Sequence, residues 1–252
     1  MSMTNDARRR PQGLAAGLLA CLALMAATGA RADAEPAPAF KLTLGHYHYH
    51  YHYSDQGAGT DFNLRWRKGD NSLWLGHYRD PVFGGQARIG GDASLDLGGG
   101  WSLQPSLQAA TGGFVGGSVN LQWGSQWFGL VGWGRTNLRP YYNLNFDPND
   151  AITLGAGLHD EHGGLWSATW IADDRLHTGQ RHLHLSGRWT VAGQRVLVDL
   201  LRKTGQGDTG PVRAWGWTLG LDGQTLFLRL ARDPKQNFSG SDATRVSLGL
   251  RF

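Results

Sequence analysis

Four histidines alternate with four tyrosines early in the chain and form a dense set of possible metal ligands. Histidines two residues apart share one face of a β-strand at intervals of roughly 7 Å, and neutral imidazoles are common ligands of zinc, copper and nickel. A single strand cannot enclose one ion with all of them, so neighbouring strands would have to contribute. The alternative is that the imidazoles line an interior while the tyrosines cover the outer surface. The residues are His46, His48, His50 and His52, alternating with Tyr47, Tyr49, Tyr51 and Tyr53.

A histidine and a serine two residues apart form a second candidate, because they share one strand face. His184 would activate the Ser186 hydroxyl as a nucleophile, and an acidic residue would orient the imidazole. If the following turn is centred on Ala192 and Gly193, Asp199 lies opposite Ser186 and supplies that acid. The pair resembles the catalytic His-x-Ser pair of outer-membrane phospholipases and lipid A deacylases.

Two features of this strand depart from those enzymes. Their motif continues with asparagine, whereas Gly187 follows the serine here. The apolar side of the strand also turns His184 and Ser186 toward the interior, whereas those enzymes act on lipid at the outer face. A lipid hydrolase therefore stays an alternative function, with His184, Ser186 and Asp199 as its catalytic residues.

A long connection from Asn137 to Asp150 carries side chains suited to ligand binding. Tyrosine, asparagine and arginine can stack on sugars and form hydrogen bonds with them, and carboxylate and amide oxygens are hard ligands for calcium. Two alternatives stay open, since such residues also make turns and a long loop can fold back to constrict a pore. The candidate sugar-binding residues are Arg139, Tyr141, Tyr142, Asn143 and Asn145, and the candidate calcium ligands are Asp147, Asn149 and Asp150.

The elements that position these groups are predicted to be β-strands throughout. Apolar and polar residues alternate with period two over successive segments, and short turns alternate with longer loops. Most tryptophans lie close to a predicted short turn, as in the interfacial belts of membrane proteins. The pattern predicts an all-β, antiparallel up-and-down transmembrane barrel of about fourteen strands, with twelve as the alternative.

The final segment, from Thr244 to Phe252, alternates strictly and ends on an aromatic residue. It resembles the C-terminal assembly signal of Gram-negative outer-membrane β-barrel proteins, a class that includes small porin-like barrels. The resemblance implies a bacterial outer-membrane location, recognition by the barrel-assembly machinery, and contact with outer-membrane lipid and lipopolysaccharide. We expect this strand to pair antiparallel with the His/Tyr strand, bringing Arg245 and Arg251 onto the same inner face as the histidines. Because cations there would oppose metal capture, we favour a lumen lining over a metal site.

The N-terminus has the features of a signal peptide, predicted for residues 1–32, with the transmembrane barrel in residues 33–252. Three arginines precede an apolar stretch, and Ala30-Arg31-Ala32 fits a cleavage site. The full sequence carries a net charge of +4, but residues 33–252 hold 20 basic and 19 acidic residues, so a nucleic-acid partner has no electrostatic support. The one cysteine, Cys21, lies in the predicted signal peptide.

Charged residues opposite the apolar faces are expected to point into the lumen. One interpretation is a network of mutual ion pairs that fills a narrow barrel, and the other is a water-filled lumen whose arginine excess selects anions. The leading hypothesis is an outer-membrane porin-like channel for small, anionic or sugar-like solutes, without a cofactor. The alternatives are the lipid hydrolase and a structural or surface-binding barrel. The lumen set is Arg65, Arg67, Arg88, Asp92, Asp96, Arg188, Arg245 and Arg251, with Asp61, Arg213 and Arg229 expected on the same faces.

Overall fold

The computed structural model describes residues 39–51, 57–144 and 147–252. The predicted signal peptide, His52, Tyr53 and Asn145 lie outside these residues. Among the described residues, no helix is both long enough and apolar enough to cross a membrane. The elements are β1 (Phe40–Tyr51), β2 (Gly57–Lys68), β3 (Asn71–Asp80), β4 (Gly84–Ala93), β5 (Leu95–Gly98), β6 (Trp101–Ala110), β7 (Phe114–Gly124), β8 (Trp127–Thr136), β9 (Ala151–His159), β10 (Leu165–Asp173), β11 (Arg181–Val191), β12 (Gln194–Gly207), β13 (Gly210–Asp222), β14 (Leu226–Asp233), a short 3-10 helix η1 (Gln236–Phe238) and β15 (Ser241–Arg251).

The strands form one closed antiparallel barrel. Consecutive strands pair along the sheet, and β15 pairs with β1 as predicted. The segments β4 and β5 both pair with β6 and are separated only by Ser94, so they are two parts of a single barrel strand. Fourteen barrel strands result, which confirms the predicted count and topology over the twelve-stranded alternative.

Apolar side chains cover the outside of the barrel, as expected for a surface in contact with lipid. Leu73 and Leu107, for example, are 57% and 71% exposed on that side. Tryptophans pack in pairs on the outside beside short turns, Trp101 with Trp123 and Trp166 with Trp189, with ring centroids 5.9 and 5.1 Å apart. One end of the barrel carries the short connections together with Ala39 and Phe252, and we call it the short-turn end. The opposite end is the long-loop end.

The first strand faces the opposite way from the prediction. Tyr47 and Tyr49 point into the barrel and are each 1% exposed, whereas His46, His48 and His50 lie on the outside. The expected lining of the lumen by these histidines is therefore wrong. Outward histidines cannot share a metal ion with inward side chains, so a metal site on this strand, which the sequence did not favour, would have to form on the outer surface.

The facing of β1 follows from residues that precede the histidines. Leu42 and Leu44 lie on the same strand face as His46. An orientation that places these leucines on the lipid side therefore also turns the imidazoles outward. Across the closing pair Tyr47 lies opposite Arg245, so Arg245 shares the inner face with the tyrosines. On β13, Arg213 is likewise exposed on the outside, contrary to the prediction, because it shares a strand face with the outward Trp215 and Leu219.

The closing pair depends on a glycine in β15. A Cβ atom added to Gly249 would overlap the Phe227 ring and the carbonyl oxygen of Leu42, whereas one added to Gly45 of β1 would make ordinary contacts of 3.4 Å. We expect Gly249→Ala to destabilise the folded barrel by about 1–3 kcal/mol, the usual cost of overpacking, and Gly45→Ala to have little effect. Urea unfolding followed by the heat-modifiable band shift on gels measures both. Equal stability of the two variants would contradict this account of the closing pair.

Candidate functional site

The barrel encloses two adjoining cavities. A central cavity of about 530 Å³ lies beneath the loop of residues 137–150. A short-turn cavity of about 780 Å³ lies nearer the chain ends. Both are lined by Thr43, Asn63 and Arg65, so the two cavities lie next to each other along the barrel wall.

Two arginines that line the central cavity form ion pairs. Arg88 contacts Asp61 at 2.6 Å, and Arg65 contacts Asp92 at 3.2 Å. The Ser72 hydroxyl also donates a hydrogen bond to Asp92 at 2.7 Å. The interpretation of the lumen charges as a mutual ion-pair network therefore fits this part of the barrel.

The short-turn cavity has an excess of basic residues. Asp222 is its one acidic lining residue, and its carboxylate already accepts hydrogen bonds from Arg229 and, at 2.9 Å, from Arg251. Among the described residues, no carboxylate lies within ion-pair distance of Arg67, Arg188 or Arg195. The interior at this end is consequently positive. The seven basic lining residues are Lys41, Arg65, Arg67, Arg188, Arg195, Arg229 and Arg251.

Two predicted residues lie elsewhere. Asp96 lines neither cavity, because its carboxylate accepts a hydrogen bond from the Gly98 N–H at 2.8 Å and stabilises the turn after β5. Its carboxylate therefore serves this turn, and its assignment to the lumen set stays a prediction. Arg139 is exposed on the loop and also lines neither cavity, so it does not share a site with the loop tyrosines.

The 137–150 loop folds back into the barrel at the long-loop end. Tyr142 stacks on Tyr78 with ring centroids 4.4 Å apart, and Tyr141 stacks on Phe114 at 4.0 Å. The Gln86 side chain accepts a hydrogen bond from the Tyr142 N–H at 2.8 Å and donates one to its carbonyl oxygen at 3.0 Å. The loop constricts the lumen, which was one of the sequence-based alternatives, and its tyrosines are engaged in packing rather than displayed for sugar stacking.

Inward tyrosines of the barrel wall extend this packing. Tyr47, Tyr49, Tyr78 and Leu144 form a buried cluster, which we call the tyrosine cluster. The Tyr49 and Tyr78 hydroxyls are 2.5 Å apart, and Tyr78 donates to Asp80 at 2.6 Å. These contacts give the inward hydroxyls of Tyr49 and Tyr78 the hydrogen-bond partners that buried polar groups need.

The acidic end of the loop does not form the predicted calcium site. The Asp150 carboxylate accepts hydrogen bonds from the Thr136 N–H at 3.1 Å and from Arg175 at 2.9 Å. These bonds hold the two ends of the loop together. Asp147 contacts other residues, and the three predicted oxygens therefore do not share one ion.

Asp147 instead reaches two histidines of β11. Its Oδ1 lies 3.0 Å from Nδ1 of His182 and 2.8 Å from Nε2 of His184. His182 is fully buried and stacks on Phe238 of η1, with centroids 5.4 Å apart. The alternation of β11 predicts that both histidines point inward, but nothing in its pattern indicates that the loop carboxylate meets them.

The His184, Ser186 and Asp199 group does not have the geometry of a hydrolytic triad. Asp199 lies opposite Ser186, as predicted. The Ser186 hydroxyl, however, donates to Asp199 and not to His184. Both ring nitrogens of His184 face carboxylates, Asp199 at 2.9 Å and Asp147 at 2.8 Å. No nitrogen of this ring is left to accept the serine proton, so the nucleophile lacks its base.

Comparison with solved structures supports the fold. The chain is similar to the Acinetobacter baumannii outer membrane protein Omp33, with a TM-score of 0.53 and 7% identity over 85% of this chain and 98% of that chain. For Salmonella typhi OmpF, in a complex with daunomycin, the TM-score is 0.45 and the identity 9%, over 84% of this chain and 97% of that chain. For the NanC porin the TM-score is 0.46 and the identity 8%, over 84% of this chain and 98% of that chain. No protein-family model matches the sequence, and no curated protein matches it.

The similarity to Omp33 concerns the fold alone. It supports the predicted closed antiparallel β-barrel. The apolar outer surface and the tryptophan pairs fit the predicted location in a bacterial outer membrane.

The hydrogen bonds from Gln86 should hold the 137–150 loop inside the barrel. We expect Gln86→Ala to leave two buried backbone groups of Tyr142 without partners, a cost of about 1–3 kcal/mol, and to raise the chymotrypsin cleavage rate in the loop about tenfold or more. Gln104→Ala, an inward glutamine with no described hydrogen bond, is the matched control and should cleave like the parent. Unchanged cleavage in Gln86→Ala would show that the loop is held by other contacts.

Proposed function

We propose that this protein is a narrow outer-membrane channel that favours small anionic solutes, including anionic sugars. The observation that carries the proposal is the short-turn cavity, which is lined by seven basic residues and one acidic residue. Charges of one sign in a cleft with low-dielectric walls focus the field and raise the local concentration of oppositely charged solutes. A ring of arginines has this effect in anion-conducting pores.

Pairing strengthens the argument for an anion preference. At the central cavity, Arg88 and Arg65 are matched by Asp61 and Asp92 and contribute little net charge. Arg65 borders both cavities, and the other six basic residues of the short-turn cavity outnumber its one carboxylate, so their field acts on a passing solute. Thr43, Asn63 and Thr190 line the same cavity and offer hydroxyl and amide groups that suit the hydroxyls of a sugar.

The inserted loop sets the size of the passage. Because the 137–150 loop and the tyrosine cluster occupy the long-loop end, the free cross-section is smaller than the wall of fourteen strands alone would leave. We therefore expect a low single-channel conductance. The loop and the tyrosine cluster that fill the long-loop end also favour the alternative function, a structural or surface-binding barrel that passes no solute.

The test is planar-bilayer recording of the purified protein across a tenfold gradient of potassium chloride. We expect the sign of the reversal potential to show that chloride permeates faster than potassium. Replacing the three unpaired basic residues together, as Arg67→Glu, Arg188→Glu and Arg195→Glu, should move the selectivity toward potassium because the cavity field reverses.

The matched control reverses charges on the outside of the barrel. Arg202→Glu and Arg213→Glu make the same change at exposed outer positions opposite Trp215 and Thr204, so they should leave the reversal potential unchanged. Absence of conductance would favour the structural barrel. Cation selectivity in the parent, or an equal shift in the outer control, would contradict the proposed channel.

A further inference from the structure

We propose that Asp147, His182 and His184 bind one divalent transition-metal ion of the zinc class, and that this ion fixes the 137–150 loop to the barrel wall. One ligand atom from each residue falls within 4.8 Å of the others. Ligands at 2.0–2.1 Å from a tetrahedral zinc ion lie about 3.3 Å apart. The two separations between nitrogen and Oδ1, 3.0 and 2.8 Å, would expand slightly to admit the ion, and the two nitrogens, which lie within 4.8 Å of each other, would keep or shorten their separation.

The second carboxylate fixes the correct nitrogen of His184. Asp199 lies 2.9 Å from Nδ1, which leaves Nε2 directed at Asp147. A histidine that ligates a metal almost always donates its other N–H to a carboxylate, carbonyl or water, which sets the tautomer and the ring orientation. The Ser186 hydroxyl in turn donates to Asp199 and holds that carboxylate in place.

The local charges also suit a divalent cation. An imidazole nitrogen and a carboxylate oxygen 2.8 Å apart need a proton or a metal ion between them, and here a single Asp147 oxygen faces two such nitrogens. Asp147 and Asp199 together supply two negative charges. The nearest buried cation on the neighbouring strand, Lys203, is neutralised by Asp233 at 2.6 Å, so it does not oppose the ion.

The donor set narrows the class of metal. Two imidazoles with one carboxylate are typical of zinc, nickel and copper rather than of calcium or magnesium, which prefer oxygen ligands. Asp147 also lines the central cavity, so a fourth ligand can come from solvent, as in zinc sites with three protein ligands. The ligands come from β11 and from the loop, and the ion therefore joins two parts of the chain that no backbone ladder connects.

The experiment uses Zn²⁺ alone as the probe and the full-length mature barrel. His46→Ala, His48→Ala, His50→Ala and His52→Ala are combined first, which removes the outer histidine run as a competing site. Elemental analysis and isothermal titration should find about one Zn²⁺ per chain in this background. Asp147→Asn or His184→Ala should abolish binding, and Asp199→Asn should weaken it about 10–100-fold, the usual effect of losing an outer-shell partner.

Folding of each variant is checked by the heat-modifiable band shift. Zn²⁺ should also slow chymotrypsin cleavage of the loop in the four-alanine background, but it should not do so when Asp147→Asn is added. If Asp147 served only in packing, Zn²⁺ would not change the cleavage rate in either protein. The proposal is overturned if the four-alanine background takes up no Zn²⁺. It is also overturned if folded Asp147→Asn and His184→Ala bind Zn²⁺ as the background does.

Discussion

Closure of the sheet by the β15–β1 pair is the constraint on which the rest of this structure depends. Backbone N–H and C=O groups have no water to bind inside a bilayer, so a spanning sheet must satisfy all of them between its own strands. Closure in turn fixes the two faces of every strand. Apolar side chains must lie outside, and polar or charged side chains of the spanning region collect in a common interior. Gly249, which lets the inward Phe227 ring lie against the closing strand, allows this pairing.

The interior that closure creates is divided along the barrel axis. Toward the long-loop end, aromatic rings and hydroxyls form the tyrosine cluster, and the 137–150 loop packs on it through Tyr142. Toward the short-turn end, arginines and Lys41 dominate the cavity lining. The division places the inserted loop and the most positive region at different depths, so separate groups of residues fill the barrel and set its charge. Asp147 belongs to the loop and borders the central cavity.

The sequence predicted strand facing well where the two faces differ strongly in polarity. In β11, Leu183 and Leu185 oppose His184 and Ser186, and the structure has that facing. The position of Asp199 opposite Ser186 was also predicted, because a tight turn with positive φ at Ala192 and Gly193 fixes the hairpin register. In β1, histidine and tyrosine differ less in polarity. The orientation of this strand could therefore be inferred only from Leu42 and Leu44, which lie on the same face as the histidines. The contact of Asp147 with two histidines could not be predicted, since the path of a long loop leaves no periodic signal.

Side-chain accessibility inside the barrel tests the central claim, a positive passage open to small anions. The one cysteine of the sequence lies in the predicted signal peptide, so Thr190→Cys introduces a single thiol into the short-turn cavity. Leu185→Cys on the outside of the same strand is the control. Methanethiosulfonate reagents of opposite charge are added to intact cells, and their rates are compared with those on a free thiol. We predict that the anionic reagent modifies Thr190→Cys faster than the cationic one and leaves Leu185→Cys unmodified. No modification of Thr190→Cys, or faster modification by the cationic reagent, would contradict the account.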